Sequence, residues 1–240
     1  MKLAVISDIH GNRLALEAVL EDISRHGVDA TVNLGDLVSG PMDPVGTIEL
    51  LMARGFPTIT GNHDRYLLER PVDKLDSVDR LVASRLGEGH FDYIRGLPKT
   101  HEVEGEVYMC HGSPLSDLDP WLDNWWTGRS TNMPDEATVT AKAEGIDFPL
   151  LLCGHTHISR IVRLRDGRLI VNPGAVGLQF YHGAPDARYA LIEKRCGKWS
   201  ASLRAVAYDH DAAARQAVEN GFPAWTEALT TGWVGAQGLF

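Results

Sequence analysis

Lys2-Leu3-Ala4-Val5-Ile6-Ser7-Asp8-Ile9-His10-Gly11-Asn12 is a short apolar run that ends abruptly in a carboxylate and an imidazole two residues apart. In an extended chain, side chains at i and i+2 point to the same face, so Asp8 and His10 can approach one cation together. Four later stretches share this form, an apolar run giving way to Asp, Asn or His beside a glycine. They are Leu34-Gly35-Asp36, Gly61-Asn62-His63-Asp64, His111-Gly112 and Gly154-His155-Thr156-His157. The donors are oxygens and imidazoles, and thiolates play no part. Such a set suits a hydrolytic centre for Mn, Fe, Zn or Mg better than a structural zinc site of the cysteine type.

Working outward from the first strand, Leu14, Leu16, Val19, Leu20 and Ile23 recur at helical spacing up to Gly27. A second strand is predicted over Ala30–Leu34, ending at Asp36. Val45, Ile48, Leu51 and Met52 give another helical stripe closed by Gly55, and Pro57–Thr60 read as a third strand leading into Asn62. Repeated strand, loop and helix imply parallel strands joined by right-handed crossovers, with the ligand candidates converging at their carboxyl ends. From Leu67 to Leu97 the pattern is helical, interrupted at Pro71.

The pattern then turns antiparallel. Thr100–Val103 and Glu106–Cys110 read as a hairpin that delivers His111, and Ser159–Leu164 with Arg168–Val171 form a second about Asp166-Gly167. Pro149–Cys153, Arg188–Glu193 and Trp199–Ala207 are further strands. A second sheet packed on the first accounts for the change. Residues 112–148 are the least regular part, with Trp121, Trp125 and Trp126 among Asp117, Asp119 and Asp123; they either pack an irregular surface segment or cover the site. The tail from Asp209 is helical, with Trp225, Leu229 and Trp233 as a stripe that docks on its own core.

The chain has 240 residues, 44% of them hydrophobic and 23% charged, the composition of an ordinary globular protein with a real core. The span of the motifs favours one domain over 1–240, with a Trp-rich insertion at about 112–148 and a helical tail at about 209–240. No apolar run reaches the roughly 18–20 residues of a membrane span, and no basic segment precedes an apolar signal core. A cytoplasmic location is the default expectation. The net charge of −9 opposes a broad nucleic-acid footprint, while a small phosphate ester neutralised by metals remains compatible, as does a homo-oligomer. Cys110, Cys153 and Cys196 form no CxxC pair and are expected to be free thiols, the first two buried.

The five motifs, in this order, resemble the calcineurin-like metallophosphoesterase superfamily, in its bacterial and archaeal phosphodiesterase-type branch. The resemblance covers about residues 2–195. It implies an α/β fold, a four-layer αββα sandwich of two mixed β-sheets flanked by helices. It also implies two divalent ions, Mn first and Fe, Zn, Ni or Mg otherwise. By their matching motifs, Asp8, His10 and His157 are implied to hold one ion and Asn62, His111 and His155 the other, with Asp36 bridging. His63 matches the residue that hydrogen-bonds the phosphate and assists the leaving group, and Asp64 the carboxylate that orients it. The implied activity is hydrolysis of a phosphodiester or small phosphomonoester, with a hydroxide shared between the ions as nucleophile.

Asn12, Arg13 and Arg65 flank the ligand motifs and are candidates to contact substrate phosphate. His182, with Tyr181 and Arg188, follows the Asn172-Pro173-Gly174 loop and is a weaker candidate of the same kind. Two departures stand out. Asp36 is followed by Leu37-Val38-Ser39, without the Asp-Arg-Gly of protein serine/threonine phosphatases, which argues against a phosphoprotein substrate. Ala175 replaces the serine often found after Asn-Pro-Gly. The rival readings are a nuclease, which the acidic balance opposes, and a non-catalytic protein-binding scaffold, which the full ligand set opposes.

Overall fold

The computed structural model describes residues 1–126, 130–179, 183–234 and 239, with backbone alone at 125, 126 and 130. Tyr181 and His182 therefore lie outside the described residues.

β1 (Lys2–Ile6) leads to α1 (Arg13–Ser24), capped where Asn12 Oδ1 accepts from the Ala15 amide, with Leu16, Val19, Leu20 and Ile23 buried. β2 (Ala30–Asn33) leads to α2 (Pro44–Arg54), which starts on Pro44 behind the Asp43 cap and stops at Gly55 in the left-handed region, φ 61°. The strand expected over 57–60 is only a bridge between Asn33 and Thr58. The Thr60 amide donates instead to the Pro98 carbonyl, so the ladder stops there.

The long helical run divides into α3 (Asn62–Glu69), α4 (Ser77–Arg85) and α5 (Glu88–Arg95). Pro71 ends the first, and the Asp76 carboxylate caps the second. β3 (His101–Val103) and β4 (Val107–Met109) are the predicted hairpin. The irregular stretch contributes a ribbon, β5 (Asn124–Trp126) with β6 (Ser130–Asn132), and α6 (Glu136–Ala141). β7 (Leu150–Leu152), β8 (Arg160–Arg163), β9 (Leu169–Asn172), β10 (Ala187–Arg195) and β11 (Lys198–Val206) follow, then α7 (His210–Glu219) and α8 (Trp225–Thr231).

The strands form a four-stranded sheet, β11-β10-β1-β2, and a five-stranded sheet, β3-β4-β7-β9-β8. Both are mixed: β1 runs parallel to β2 and antiparallel to β10, while β4, β7 and β9 are mutually parallel between antiparallel edges. Alternation along β1 explains the layering. Leu3 and Val5 pack between the sheets with Val107, Met109, Leu150 and Leu152, whereas Ala4 and Ile6 face Leu16, Val19, Ile48 and Leu51 of the helices. On β7, Leu151 faces outward to Tyr108, Trp121, Leu122 and Val139. Burying each such aliphatic side chain contributes roughly 1.5–3 kcal/mol.

The result is the four-layer sandwich expected, with a thin outer layer on the second sheet made of α6 and the loop bearing Trp121. Trp121 is buried and its Nε1 donates to the Val139 carbonyl, so this tryptophan is core. The tail differs in one respect from the stripe expected: Trp225 and Leu229 are buried, but Trp233 lies beyond the Gly232 cap and is exposed. Among the described residues no helix is long and apolar enough to cross a membrane. Cys110 and Cys153 are buried free thiols, and Cys196 is exposed.

Candidate metal centre

The candidate ligands other than Asn62, which opens α3, follow the carboxyl ends of β1, β2, β4 and β7, parallel strands of the two sheets. Asp8, His10, Asp36, His155 and His157 all have left-handed backbones, with φ between 49° and 67°. For non-glycine residues this conformation costs on the order of 1–3 kcal/mol each and persists only where surrounding bonds over-determine it. Here they do. The Asp8 amide donates to the Gly35 carbonyl, those of Ile9 and His10 to the Asp36 carbonyl, and that of Gly11 to Leu37. Gly177 and Val176 donate to the Asp8 and Ser7 carbonyls, and Gly154 to His111. Gly35 is required by this interlocking, since at φ 96° a Cβ would sit 2.3 Å from the Gly61 nitrogen.

Three imidazoles are oriented in the same way. Nδ1 of His10, His111 and His157 lies 2.7–2.8 Å from the carbonyls of Ser39, Leu34 and Leu178. Each Nδ1 must therefore carry a proton, so that Nε2 is the nitrogen each ring turns inward, with a free lone pair at His10 and His157 and at His111 once its second proton is lost. His157 Nε2 is 3.1 Å from His10 Nε2 and 3.5 Å from Asp8 Oδ1. His111 Nε2 is 3.2 Å from Asp36 Oδ2, 3.2 Å from Asn62 Oδ1 and 3.9 Å from Asp8 Oδ1. Two groups result, Asp8 with His10 and His157, and Asp8 with Asp36 and His111, each with donor atoms within 4.8 Å of one another.

Asp8 is thus common to both groups, a place the resemblance gives to Asp36. Asp36 Oδ2 nonetheless lies between His111 and His10, 3.8 Å from the latter. The His155 ring stands beside the His111 ring, centroids 5.4 Å apart, and belongs to neither group, while its backbone amide donates to Asp8 Oδ2.

The charges fit a divalent cation. Asp8 Oδ1 is buried with no hydrogen-bond donor, which an apolar interior does not tolerate cheaply. Burial, with the neighbouring Asp36, pushes Asp8 up to about 7 against the pull of His111. Burial also raises Asp36, but the facing His111 overrides it and holds Asp36 well below the carboxylate range. Burial brings His10 and His155 down to about 4 and His157 well below its ordinary value. His111 goes the other way, to about 10, because Asp36 and Asp8 outweigh its desolvation. Neutral inward imidazoles at His10 and His157 beside buried carboxylates are the donor set a hard or borderline metal takes.

Four of the expected site residues already have partners within the chain. Asp64 does not face His63: its Oδ2 accepts from the Asp36 and Gly61 amides and its Oδ1 from Leu37, so it buckles two loops together. Adjacent residues on a helix point in different directions, and both stand in the first turn of α3. Asp79 of α4 lies at the ring instead, Oδ2 3.3 Å from His63 Nδ1. Asn12 is fully buried, its amide donating to the Gly177 carbonyl and the Tyr208 hydroxyl while its Oδ1 caps α1. Arg13 pairs with Glu17 and Asp43. Arg65 grips Asp117 through Nε and Nη2 and reaches Glu69 through Nη1.

Sequence reading missed Asp79, whose only signal was the Asp76-Ser77-Val78-Asp79 helix start. It also missed Asp123, buried, which accepts from Arg160 and Thr156 and so ties the irregular stretch to the loop between His155 and His157.

Two mixed sheets face to face between helices, with oxygen and imidazole donors gathered at one edge, define the metallophosphoesterase class of fold. A solved metallophosphoesterase from Sphaerobacter thermophilus superposes with a TM-score of 0.78 at 26% identity, covering 97% of this chain and all of that one. The description "Calcineurin-like phosphoesterase superfamily domain" matches residues 1–195, and the chain belongs to that superfamily. An uncharacterized protein of Methanocaldococcus jannaschii is 26% identical over 93% of this chain and 94% of its own. A bovine transmembrane protein with a metallophosphoesterase domain is 25% identical over 82% of this chain, which spans about half (50%) of that relative.

Proposed function

We propose that the chain is a metal-dependent phosphoesterase that hydrolyses a phosphodiester or a small phosphomonoester at a dinuclear centre. The observation that carries this reading is Asp8 Oδ1, buried without a donor and common to both groups of ligand atoms. Asp8, His10 and His157 would hold one ion; Asp36, Asn62 and His111, with His155 beside them, the other. Mn is the first candidate, ahead of Fe, Zn, Ni and Mg. Such a pair of ions, when bound, supplies an activated water and neutralises the charge on the phosphoryl oxygens.

The chain's own residues complete the site. Leu34, Ser39 and Leu178 carbonyls fix the ligand rings before any ion arrives, so little reorganisation is left to binding. His63, tethered by its amide to Asp36 Oδ1 at 2.9 Å, places an imidazole beside His10 with ring centroids 5.4 Å apart. There it hydrogen-bonds the phosphate and the departing ester oxygen. Burial lowers its pKa, but in the metal-free protein Asp36 and Asp79 more than compensate and raise it to about 9. The net charge of −9 favours a small ester over a nucleic-acid substrate.

The test is to strip the protein of metal, reload it with Mn, count bound metal, and screen phosphomonoesters, cyclic nucleotides and diesters. Hydrolysis that needs the metal is expected. A protein that binds Mn and turns over none of these would reject the enzyme reading in favour of a scaffold.

A further inference from the structure

Asp79 belongs to none of the motifs that carry the metal ligands. It stands in the first turn of α4, its backbone amide donating to the capping Asp76 Oδ1 at 2.8 Å, and Val78 and Val82 beside it are fully buried. The helix is therefore held in place by packing, and the direction of the Asp79 side chain is set with it. That side chain is fully buried. Its Oδ2 lies 3.3 Å from His63 Nδ1, and its Oδ1 has no hydrogen-bond partner. A buried carboxylate with an orphaned oxygen is costly, and an apolar residue would suit this helix face better on packing grounds alone. The His63 ring is meanwhile fixed on other sides, T-shaped against His10 and against Tyr66 with centroids 5.4 and 5.6 Å away.

We infer that Asp79 is a positioning residue for His63. By accepting the Nδ1 proton it holds the imidazole in one rotamer, with Nδ1 turned to the carboxylate and Nε2 on the opposite edge. The role rests on the reading of His63 given above. Asp64, the neighbour in sequence, cannot perform it, because its oxygens already accept from three backbone amides. A helix outside the metal motifs thus reaches into the site through one carboxylate.

The test uses the full chain and compares Asp79→Leu with Asp79→Asn, whose amide oxygen can still accept the Nδ1 proton. With Mn bound, Asp79→Leu should lower kcat on phenyl phosphate by about 10²-fold, the lower end of what a general acid contributes. The loss on p-nitrophenyl phosphate, whose leaving group needs little help, should be smaller, with KM and bound Mn unchanged. Asp79→Asn should restore most of the rate. In a His63→Ala background Asp79→Leu should have no further effect. Independently of activity, the metal-free protein should show a downfield Nδ1 proton of His63 in its NMR spectrum that Asp79→Leu removes. Equal losses on both esters, a further loss in the His63→Ala background, depleted Mn, or an unchanged Nδ1 proton would each overturn the inference. Failure of the wild type to hydrolyse either ester would instead count against the proposed function, and the NMR comparison would still decide whether Asp79 holds the ring.

Discussion

His10 Nε2 and His157 Nε2 face each other at 3.1 Å, with the Nδ1 proton of each ring given to a backbone carbonyl. Both inward nitrogens therefore present lone pairs, and Asp8 Oδ1 adds a third acceptor 3.5 Å from His157. Acceptors this close repel unless a cation lies among them. The fold holds them there regardless, through the His10 amide bonded to the Asp36 carbonyl and through both rings' Nδ1 bonds.

Relief of that repulsion should stabilise the protein. Adding Mn to the metal-free form should raise its Tm, and a ligand at a hundred times its Kd contributes about 2.7 kcal/mol. Differential scanning calorimetry would read the shift. Asp8→Ala should abolish it, since Asp8 serves both groups of donors.

Metal affinity should rise with pH, and the sign follows from two groups. His111, up at about 10 in the metal-free protein, must lose a proton before Nε2 can ligate, and Asp8, at about 7, must lose one below that pH. Binding therefore releases protons, one from His111 over the neutral range and a second as pH falls through 7. Titration calorimetry in buffers of different ionisation enthalpy would count them. Binding that weakens as pH rises from 6 to about 9 would contradict this account.

How much of this could be read from the chain alone depended on periodicity. β1, α1 and α2 followed from apolar spacing and from Gly55, because those signals are local. The bridge at Thr58 did not, since whether Thr60 continues a ladder depends on Pro98, far along the chain. Motif spacing brought Asp8, His10, Asp36, Asn62, His111 and His157 to one place. It could not say that the Asp64 oxygens accept from backbone amides, that Asn12 caps α1, or that Asp79 meets His63. Those facts depend on which way a side chain leaves its helix and on what a distant loop presents to it.

Asn12→Ala should destabilise the fold without touching substrate binding. The substitution removes the α1 cap and leaves the Gly177 carbonyl without its buried side-chain donor. A lost cap with an unsatisfied partner costs about 1–3 kcal/mol. Denaturant unfolding would measure it, and a raised KM at unchanged stability would make Asn12 a phosphate contact.

His63→Ala should keep its metal, because His63 lies in neither group that shares Asp8. Its kcat should fall by ~10²–10⁴-fold, the range general acid catalysis contributes. Metal analysis and steady-state kinetics on one preparation separate the two effects, and metal lost along with activity would make His63 a ligand.

Asp36→Asn is the sharpest test of the centre as a whole. Asp36 sits at φ 54°, a conformation that asparagine tolerates as well as aspartate, so the backbone has no reason to move. One side-chain oxygen also remains to accept the His63 amide, which Oδ1 holds at 2.9 Å. The substitution removes the negative charge that faces His111 Nε2 at 3.2 Å and lies 3.8 Å from His10 Nε2. With the shape kept and the charge gone, circular dichroism of the metal-free protein should change little, while Mn-dependent hydrolysis should collapse. The His111 pKa should fall as well, since Asp36 is the strongest of the influences that raise it against its burial. Turnover that survives in Asp36→Asn at the wild-type rate would mean that hydrolysis does not pass through this carboxylate, and the assignment of the centre would fail with it.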